Sequence, residues 1–418
     1  MKIKQLLAAP VLTGLTLLAS VTAVNAAVYT QCGPYPKGDA RNAVDEQGNS
    51  LLKDATGMSQ FVCKHSAAGD GWMTTADGTR LYGFGFSDMT SVPNEEVMHK
   101  GYFNAKYPAP TMYFDEGQDV YWNLTNTGMT HRPDLFDAHS IHWHGFPQAS
   151  AIYDGVPHGS AVVTMGSTFA YYYKLNDAGT FMYHCHVEAT EHMQMGMVGN
   201  LFVRPKQNRL PPGTTFGNGF VHQANYRYAY NDSDGSTAYD VEAALQFGSM
   251  DSNFHLLHEA VQPLPFLQMK GDYAQVNGRG YPMSVVEAPL PAIQMDDGSL
   301  LAESSQPEHA VVRAKVGQKI LLRLTNLNVT DYFTVTALGL PMRVVGAGAH
   351  IARGEGGDSW AYDTSSVTLG GGEGVDVLVD TTGVQPGTYF LYTTNLNYLS
   401  NGAGEDRGGL MTHIVLSN

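Results

Sequence analysis

The stretch Phe114-Asp-Glu-Gly-Gln-Asp-Val-Tyr-Trp-Asn-Leu-Thr-Asn126 is echoed later in the chain by Ala314-Lys-Val-Gly-Gln-Lys-Ile-Leu-Leu-Arg-Leu-Thr-Asn326. A second pair of segments repeats in the same order, Asp177-Ala-Gly-Thr-Phe-Met-Tyr183 and Val384-Gln-Pro-Gly-Thr-Tyr-Phe-Leu-Tyr392. Each segment is a short run of β-forming and aromatic residues beside a turn residue. Repetition of such segments favours two copies of one β-sandwich over a single large domain.

Turn residues punctuate the whole chain, which contains 46 glycines and 20 prolines among its 418 residues. We therefore predict an all-β protein, with one short helix at residues 241–247. The predicted organisation is a signal peptide at 1–26, a loop-rich N-terminal extension at 27–80, a first domain at 81–205 and a second domain at 206–418.

The N-terminal segment has the pattern of a secretory signal. Lys2 and Lys4 precede an apolar run that is too short to span a bilayer, and small residues follow at Val24-Asn-Ala26. We expect a periplasmic or secreted protein that is not inserted in a membrane. The formal charge of −15 becomes −17 without the two lysines. An acidic surface of this kind repels nucleic acid, so we expect no nucleic-acid partner.

The chain has three cysteines, Cys32, Cys63 and Cys185. In an exported protein Cys32 and Cys63 could form a disulfide, although the sequence does not show that they come close enough. Cys185 would then be an unpaired thiol in an oxidising compartment, where a bound metal would protect it.

The residues around Cys185 point to that metal. His184-Cys185-His186 follows a strand-like segment, and His192 and Met197 come soon after. Two imidazoles, one thiolate and a weak thioether make a type 1 copper site, so the sequence needs one further histidine, for which His139 is the best candidate.

Strand geometry predicts a second group of imidazoles. In an extended chain, His184 and His186 point away from Cys185, and His142 and His144 point away from His139. The sequence therefore predicts four imidazoles (His142, His144, His184 and His186) on one face and the type 1 ligands on the other. Backbone would connect the two groups directly.

These motifs, His139-Ser-Ile-His142-Trp-His144-Gly145 and His184-Cys185-His186 with His192 and Met197, resemble those of multicopper oxidases, a family that includes laccases and cuprous or ferrous oxidases. The resemblance implies two cupredoxin-like Greek-key β-sandwich domains. It also implies a type 1 copper on His139, Cys185, His192 and Met197. The four remaining histidines match half of a cluster of type 2 and type 3 copper.

The implied activity is that of a copper-dependent oxidoreductase. The type 1 copper would take electrons from a small molecule, a metal ion or a redox partner protein, and the histidine-bound copper would reduce dioxygen. Two-domain relatives form homotrimers, so the resemblance implies this assembly too.

The second domain departs from the family pattern. Thr334 and Thr336 stand where one histidine pair is expected, and the segment Tyr392-Thr-Thr394-Asn-Leu396 stands where the other is expected. One alternative is therefore a blue copper electron-transfer or copper-handling protein with an incomplete, non-catalytic cluster. A copper nitrite reductase-like enzyme is another alternative, although that family has aspartate at the position of His142 and a histidine near Asn395.

Other residues remain open as weaker candidates. His255 and His258 could share a helical face or a turn and bind a metal, whereas the second domain's other histidines are expected to be ordinary surface or core residues. Asp137, Glu188 and Glu191 could orient imidazoles or relay protons, or could be solvated surface acids. The glycine-rich segment 370–374 is expected to be a turn.

Overall fold

The structure is a computed structural model that describes residues 28–295, 298–300, 305–401 and 408–418. The predicted signal peptide, 1–26, lies outside the described residues. Apart from three short α-helices and six single turns of 3-10 helix, the regular structure of the described residues is β, as predicted. Among the described helices, not one is long and apolar enough to cross a membrane.

The first domain contains eight strands and two helices: β1 Phe61–Thr74, β2 Arg80–Asp88, α1 Asn94–Gly101, β3 Ala109–Asp115, β4 Asp119–Gly128, β5 His142–His144, β6 Thr168–Lys174, β7 Gly179–His184, α2 Ala189–Gln194 and β8 Val198–Arg204. These strands form two four-stranded sheets, in the orders β2-β1-β4-β6 and β3-β8-β7-β5.

The second domain contains the remaining strands and one helix: β9 Arg227–Tyr228, β10 Ala238–Tyr239, β11 Val241–Met250, α3 Ser252–Glu259, β12 Tyr273–Val276, β13 Val312–Lys315, β14 Lys319–Asn326, β15 Phe333–Ala337, β16 Met342–Ala347, β17 His350–Ile351, β18 Tyr362–Thr364, β19 Val367–Leu369, β20 Glu373–Asp380, β21 Gly387–Thr393 and β22 Met411–Ser417. Its two main sheets have the orders β12-β11-β14-β20-β16-β17, with β18 beside β16, and β13-β22-β21-β15-β19. Strands β9 and β10 pair separately.

Single turns of 3-10 helix interrupt the loops at Ala40–Asn42, Ala151–Tyr153, Lys206–Arg209, Phe266–Gln268, Met283–Val285 and Leu396–Tyr398.

Each domain buries its own apolar core between two sheets. In the first domain Phe84 and Trp122 from one sheet pack with Phe181 and Leu201 from the other. In the second domain the alternating burial along β15 places Phe333, Val335 and Ala337 inside. Period-two alternation of this kind is what buries one face of an antiparallel strand and leaves the other free.

Two sequence predictions differ from the structure. The predicted helix at 241–247 is the strand β11, because its residues pair with β14 and β12. The predicted extension, 27–80, contains β1, which lies between β2 and β4 in the first sheet. Glycines and charged residues weaken the strand pattern of β1. We therefore propose that domain 1 begins near Phe61.

The N-terminal segment before β1 is joined to that sheet by a disulfide. Cys32 is bonded to Cys63 in β1, with their Cα atoms 5.3 Å apart. Cys185 is the free cysteine, and it is fully buried. The disulfide leaves Cys185 as the one thiol available to a metal.

Candidate metal centre

Strands β5 and β7 place the predicted site residues on two sides of one sheet. The two strands pair antiparallel, with His142 opposite His184 and Trp143 opposite Tyr183. Trp143 and Tyr183 are buried in the core, so the histidines that alternate with Trp143 point away from it. Cys185 follows β7 and begins the connection to α2, which brings its sulfur to the opposite side from His184.

The thiol and two imidazoles meet as predicted. Cys185 Sγ lies 3.2 Å from His192 Nδ1 and 3.8 Å from His139 Nδ1. All three residues are fully buried, and their ligand atoms are close enough to share one metal ion. The backbone N–H of Ser140 donates to Cys185 Sγ at 3.5 Å, which helps to hold the sulfur in place.

Met197 is held beside these residues by its backbone. Its N–H donates to the carbonyl of His192 at 2.9 Å, and its carbonyl accepts from the N–H of Cys185 at 3.2 Å. Gly196 makes this sharp return possible, because its φ of +116° is unfavourable for other residues and a Cβ there would meet the Tyr107 ring at 2.5 Å. The buried Met197 side chain is thus tied to both predicted ligands that follow β7.

On the other side of the sheet lie the four remaining imidazoles, which we call the histidine face: His142, His144, His184 and His186. The ring centre of His142 is 5.1 Å from those of both His184 and His186. His144 Nδ1 lies 3.3 Å from His184 Nε2. Ligand atoms of His142, His144 and His184 come close enough together to share a metal ion.

Carbonyl groups orient two of these rings. His142 Nδ1 lies 2.6 Å from the carbonyl oxygen of Asp154. His184 Nδ1 lies 2.8 Å from the carbonyl oxygen of Cys185. Since Nδ1–H donates to a carbonyl in each case, Nε2 carries the lone pair in both rings, and that of His184 faces His144 Nδ1 at 3.3 Å. Hydrogen bonds of this kind are what fix the tautomer of metal-binding histidines.

Burial keeps three imidazoles of the histidine face, those of His142, His144 and His184, uncharged. It lowers the pKa of His184 to about 3 and also lowers the pKa values of His142 and His144. The pKa of His139 is likewise pushed well below its usual range by burial. Neutral imidazole is the form that binds metals, so the fold prepares these rings as ligands.

His192 behaves differently because of the groups around it. Burial acts to lower its pKa, but the Cys185 sulfur and the Asp137 carboxylate outweigh burial and raise the pKa to about 10. The space between Cys185 Sγ and the His192 ring is therefore a place where a positive charge is stabilised. A thiolate with two imidazoles suits copper, so the buried residues fit the cofactor that the sequence predicts.

The acids near the site divide into two groups. Asp137 and Glu188 lie with carboxylate oxygens 3.8 and 3.9 Å from His192 Nε2, at the edge of the ring away from the sulfur. Glu191 instead lies 2.8 Å from the Nε2 atom of His258 on α3. The first two acids can orient His192, which was one of the predicted roles.

Histidines outside the Cys185 site and the histidine face have other partners. Both ring nitrogens of His255 face carbonyl groups, those of Tyr82 and Gln194. His222 Nδ1 lies 2.8 Å from the Tyr228 hydroxyl. In the described ranges, the groups of His, Cys, Asp and Glu that could hold a metal all lie in domain 1.

The second domain presents threonines at the places that match the histidine face. Val335 pairs with Thr393 as Trp143 pairs with Tyr183, so Thr334, Thr336 and Thr394 correspond to His142, His144 and His184. We call these three residues the threonine face. Thr334 Oγ1 lies 2.8 Å from Thr368 Oγ1, and Thr336 donates to the carbonyl of Ser365 at 2.7 Å.

A glycine turn of the second domain contacts the histidine face, a feature that sequence reasoning missed. A Cβ atom added to Gly372 would lie 2.6 Å from His144 Nε2, so only glycine fits without displacing that ring. The signal was present in the glycine-rich segment 370–374, which the sequence identified as a turn but could not place in space.

The fold is that of two cupredoxin-like β-sandwiches, and the two groups of candidate ligands have the chemistry that suits copper. Residues 88–208 and 268–416 match two family descriptions, both "Multicopper oxidase". The chain belongs to the multicopper oxidase family. This confirms the predicted family, and with it copper as the predicted cofactor.

One relative agrees with this assignment. "Multicopper oxidase MCE" of Talaromyces pinophilus is 36% identical over 119 residues, which are 28% of this chain and 18% of the relative. The match thus spans less than a fifth of that relative's length.

Among solved structures, a blue copper oxidase from Nitrosomonas europaea is 23% identical with a TM-score of 0.59, covering 84% of this chain and 85% of that one. A copper nitrite reductase from the same organism is 16% identical with a TM-score of 0.52, covering 85% and 93%. These likenesses confirm the two-sandwich fold and leave the reaction open.

Proposed function

We propose that the protein is a copper-dependent oxidoreductase of the laccase-like type, in which electrons from a reductant enter at the Cys185 site and are used at the histidine face to reduce dioxygen. The observation that carries this proposal is the position of Cys185 between His184 and His186. One short piece of backbone joins a buried thiolate site to the imidazoles on the other side of the sheet.

Copper bound at these two places would supply a one-electron redox centre and a centre at which a small oxidant binds. The chain's own residues do the rest. His139 and His192 hold the sulfur site from two sides, and their complete burial excludes water from it. The carbonyls of Asp154 and Cys185 fix the rings of His142 and His184 through their Nδ1 atoms, which leaves Nε2 as the atom that would bind a metal.

Dioxygen is favoured over nitrite by two residues. His142 occupies the position at which nitrite reductases have an aspartate, and its ring packs against both His184 and His186. Asn395, near the place of the nitrite reductases' second-domain histidine, caps the turn Leu396–Tyr398 by accepting from the N–H of Asn397. Neither residue has the chemistry that nitrite reduction uses in that family.

A second candidate function is electron transfer or copper handling without catalysis. It is supported by the threonine face, because threonine hydroxyls are poor copper ligands. If this candidate is right, only the Cys185 site binds copper tightly.

We propose that the mature protein is periplasmic or secreted and assembles as a homotrimer. The disulfide between Cys32 and Cys63 supports export, since such bonds persist in oxidising compartments. The trimer rests on the resemblance to two-domain relatives, and light scattering on the purified protein would measure it.

The test of the proposed function is oxygen uptake by the copper-loaded protein with a good electron donor. We expect uptake that depends on the donor and more than one copper per chain. A blue protein with one copper per chain and no oxygen uptake would overturn the oxidase proposal in favour of electron transfer. Nitrite consumption without oxygen uptake would favour the nitrite reductase-like alternative.

A further inference from the structure

A row of aromatic rings leads away from His192 through the interior of domain 1. The ring centre of Phe84 is 5.6 Å from that of His192, Tyr82 is 5.7 Å from Phe84, and Trp72 is 5.5 Å from Tyr82. All four residues are buried. The row follows from the sheet, because Tyr82 and Phe84 lie two residues apart on β2 and Trp72 is the partner of Tyr82 on β1.

Tyr82 also has a proton acceptor. Its hydroxyl donates to Asp70 Oδ2 at 2.9 Å, and Asp70 is buried with its other carboxylate oxygen unpartnered among the described residues. Burial raises the pKa values of both Asp70 and Tyr82. Tyr82 therefore stays a neutral phenol, and Asp70 can readily accept a proton. A phenol that loses an electron must also release its proton, and this pair allows both.

The row meets a surface pocket between β2 and α3 at Tyr82, which lines it. The pocket has a volume of about 320 Å³, and its lining includes Tyr82, Leu256, Glu259 and Tyr273. Leu256 is 60% exposed, and Trp72 Nε1 donates to Glu259 Oε1 at 3.4 Å. A partly apolar wall with one carboxylate suits a small aromatic ring that carries an O–H or N–H group.

We propose that this pocket is a second electron-input site at which an electron-rich phenol or aromatic amine binds, with Tyr82 as the relay to the Cys185 site. This inference rests on the proposed function. Asp137 and Glu188, whose carboxylates lie near His192 Nε2, are not among the pocket's lining residues. The pocket is therefore distinct from the direct approach to that ring.

The relay step balances in electrons and protons. Tyr82 gives one electron to oxidised copper at the Cys185 site, and its phenolic proton moves to Asp70 Oδ2. The bound donor then gives one electron to the tyrosyl radical, and the proton returns from Asp70 to the phenolic oxygen. The net result is one electron moved from the donor to copper, with Tyr82 and Asp70 unchanged.

The first experiment follows a radical in the copper-free protein. A ruthenium(II) complex is attached to a cysteine introduced by Leu256→Cys, and a flash of light in the presence of a sacrificial electron acceptor converts it to a ruthenium(III) one-electron oxidant. We expect a tyrosyl radical by electron paramagnetic resonance, and loss of that signal in the added variant Tyr82→Phe. Tyr172→Phe is the matched control, because the Tyr172 hydroxyl also donates to a carboxylate, that of Asp119, at 2.8 Å.

The second experiment measures reduction of the blue chromophore of the copper-loaded protein by hydroquinone without oxygen. We expect Tyr82→Phe and the pocket-filling variant Leu256→Trp each to slow reduction about tenfold. Leu267→Trp, at a position that is 93% exposed and outside the pocket lining, should leave the rate unchanged.

The outcomes separate the two proposals. A wild-type protein that is not blue, or that no donor reduces, would overturn the proposed function and the relay with it. A blue protein that hydroquinone reduces equally fast in all variants would overturn the relay alone. A radical that persists in Tyr82→Phe would show that another residue is oxidised, which also overturns the assignment of Tyr82.

Discussion

The histidine face of domain 1 and the threonine face of domain 2 occupy the same place in two copies of one fold. In both, an inward residue flanked by two outward residues lies on a short strand: Trp143 on β5 and Val335 on β15, each fully buried. The outward residues are imidazoles in one copy and hydroxyls in the other. The difference shows that inward positions maintain the sandwich, while outward positions are free to carry chemistry or to lose it.

The largest expected effect comes from removing the thiol of Cys185, which has no counterpart in domain 2. Cys185→Ser keeps the size of the side chain but replaces the thiolate with a poor copper ligand. We expect complete loss of the blue absorption and of one copper per chain. His350→Ala, which removes an exposed histidine of domain 2, is the control and should retain both. A blue Cys185→Ser protein would contradict the claim that the Cys185 thiolate binds copper in domain 1.

The double variant His142→Ala/His144→Ala tests the histidine face alone. We expect oxygen uptake to fall to the background rate because two of four imidazoles are lost, while the blue absorption remains. The measurement is oxygen consumption beside the visible spectrum of the same sample. Unchanged oxygen uptake would mean that the histidine face is not where the oxidant reacts.

A core substitution in domain 2 should separate stability from copper binding. Leu391 on β21 is fully buried, so Leu391→Ala should lower the free energy of unfolding by about 2–5 kcal/mol. Copper content and colour should not change, because no predicted ligand lies in that core. Denaturant unfolding gives the energy, and Leu396→Ala, at a position 73% exposed, is the matched control. Loss of colour in folded Leu391→Ala would indicate that domain 2 helps to hold the copper.

The smallest effect is expected at the threonine face. Thr334→Ala/Thr336→Ala should change the free energy of unfolding by only about 0.5 kcal/mol per residue, as other partly exposed sites do. Oxygen uptake should be that of the wild type. A loss of activity as large as that of the histidine double variant would show that the threonines take part in the reaction.

Much of the metal centre could be predicted from the sequence because it depends on alternation along two strands. His142, His144 and His184 face one side and Cys185 the other, as the period of two requires. The position of β1 could not be predicted in this way. Its glycines and charges hide the strand pattern, and its pairing with β4 joins segments far apart in the chain. The contact between Gly372 and His144 likewise depends on how the domains pack, which no local pattern encodes.

Diffraction from crystals of the copper-loaded protein, with anomalous differences recorded at the copper absorption edge, tests the central claim most directly. We predict one peak between Cys185 Sγ and the Nδ1 atoms of His139 and His192, and at least one more at the histidine face. No peak is predicted at the threonine face. Density for copper elsewhere, with nothing beside Cys185, would contradict the account.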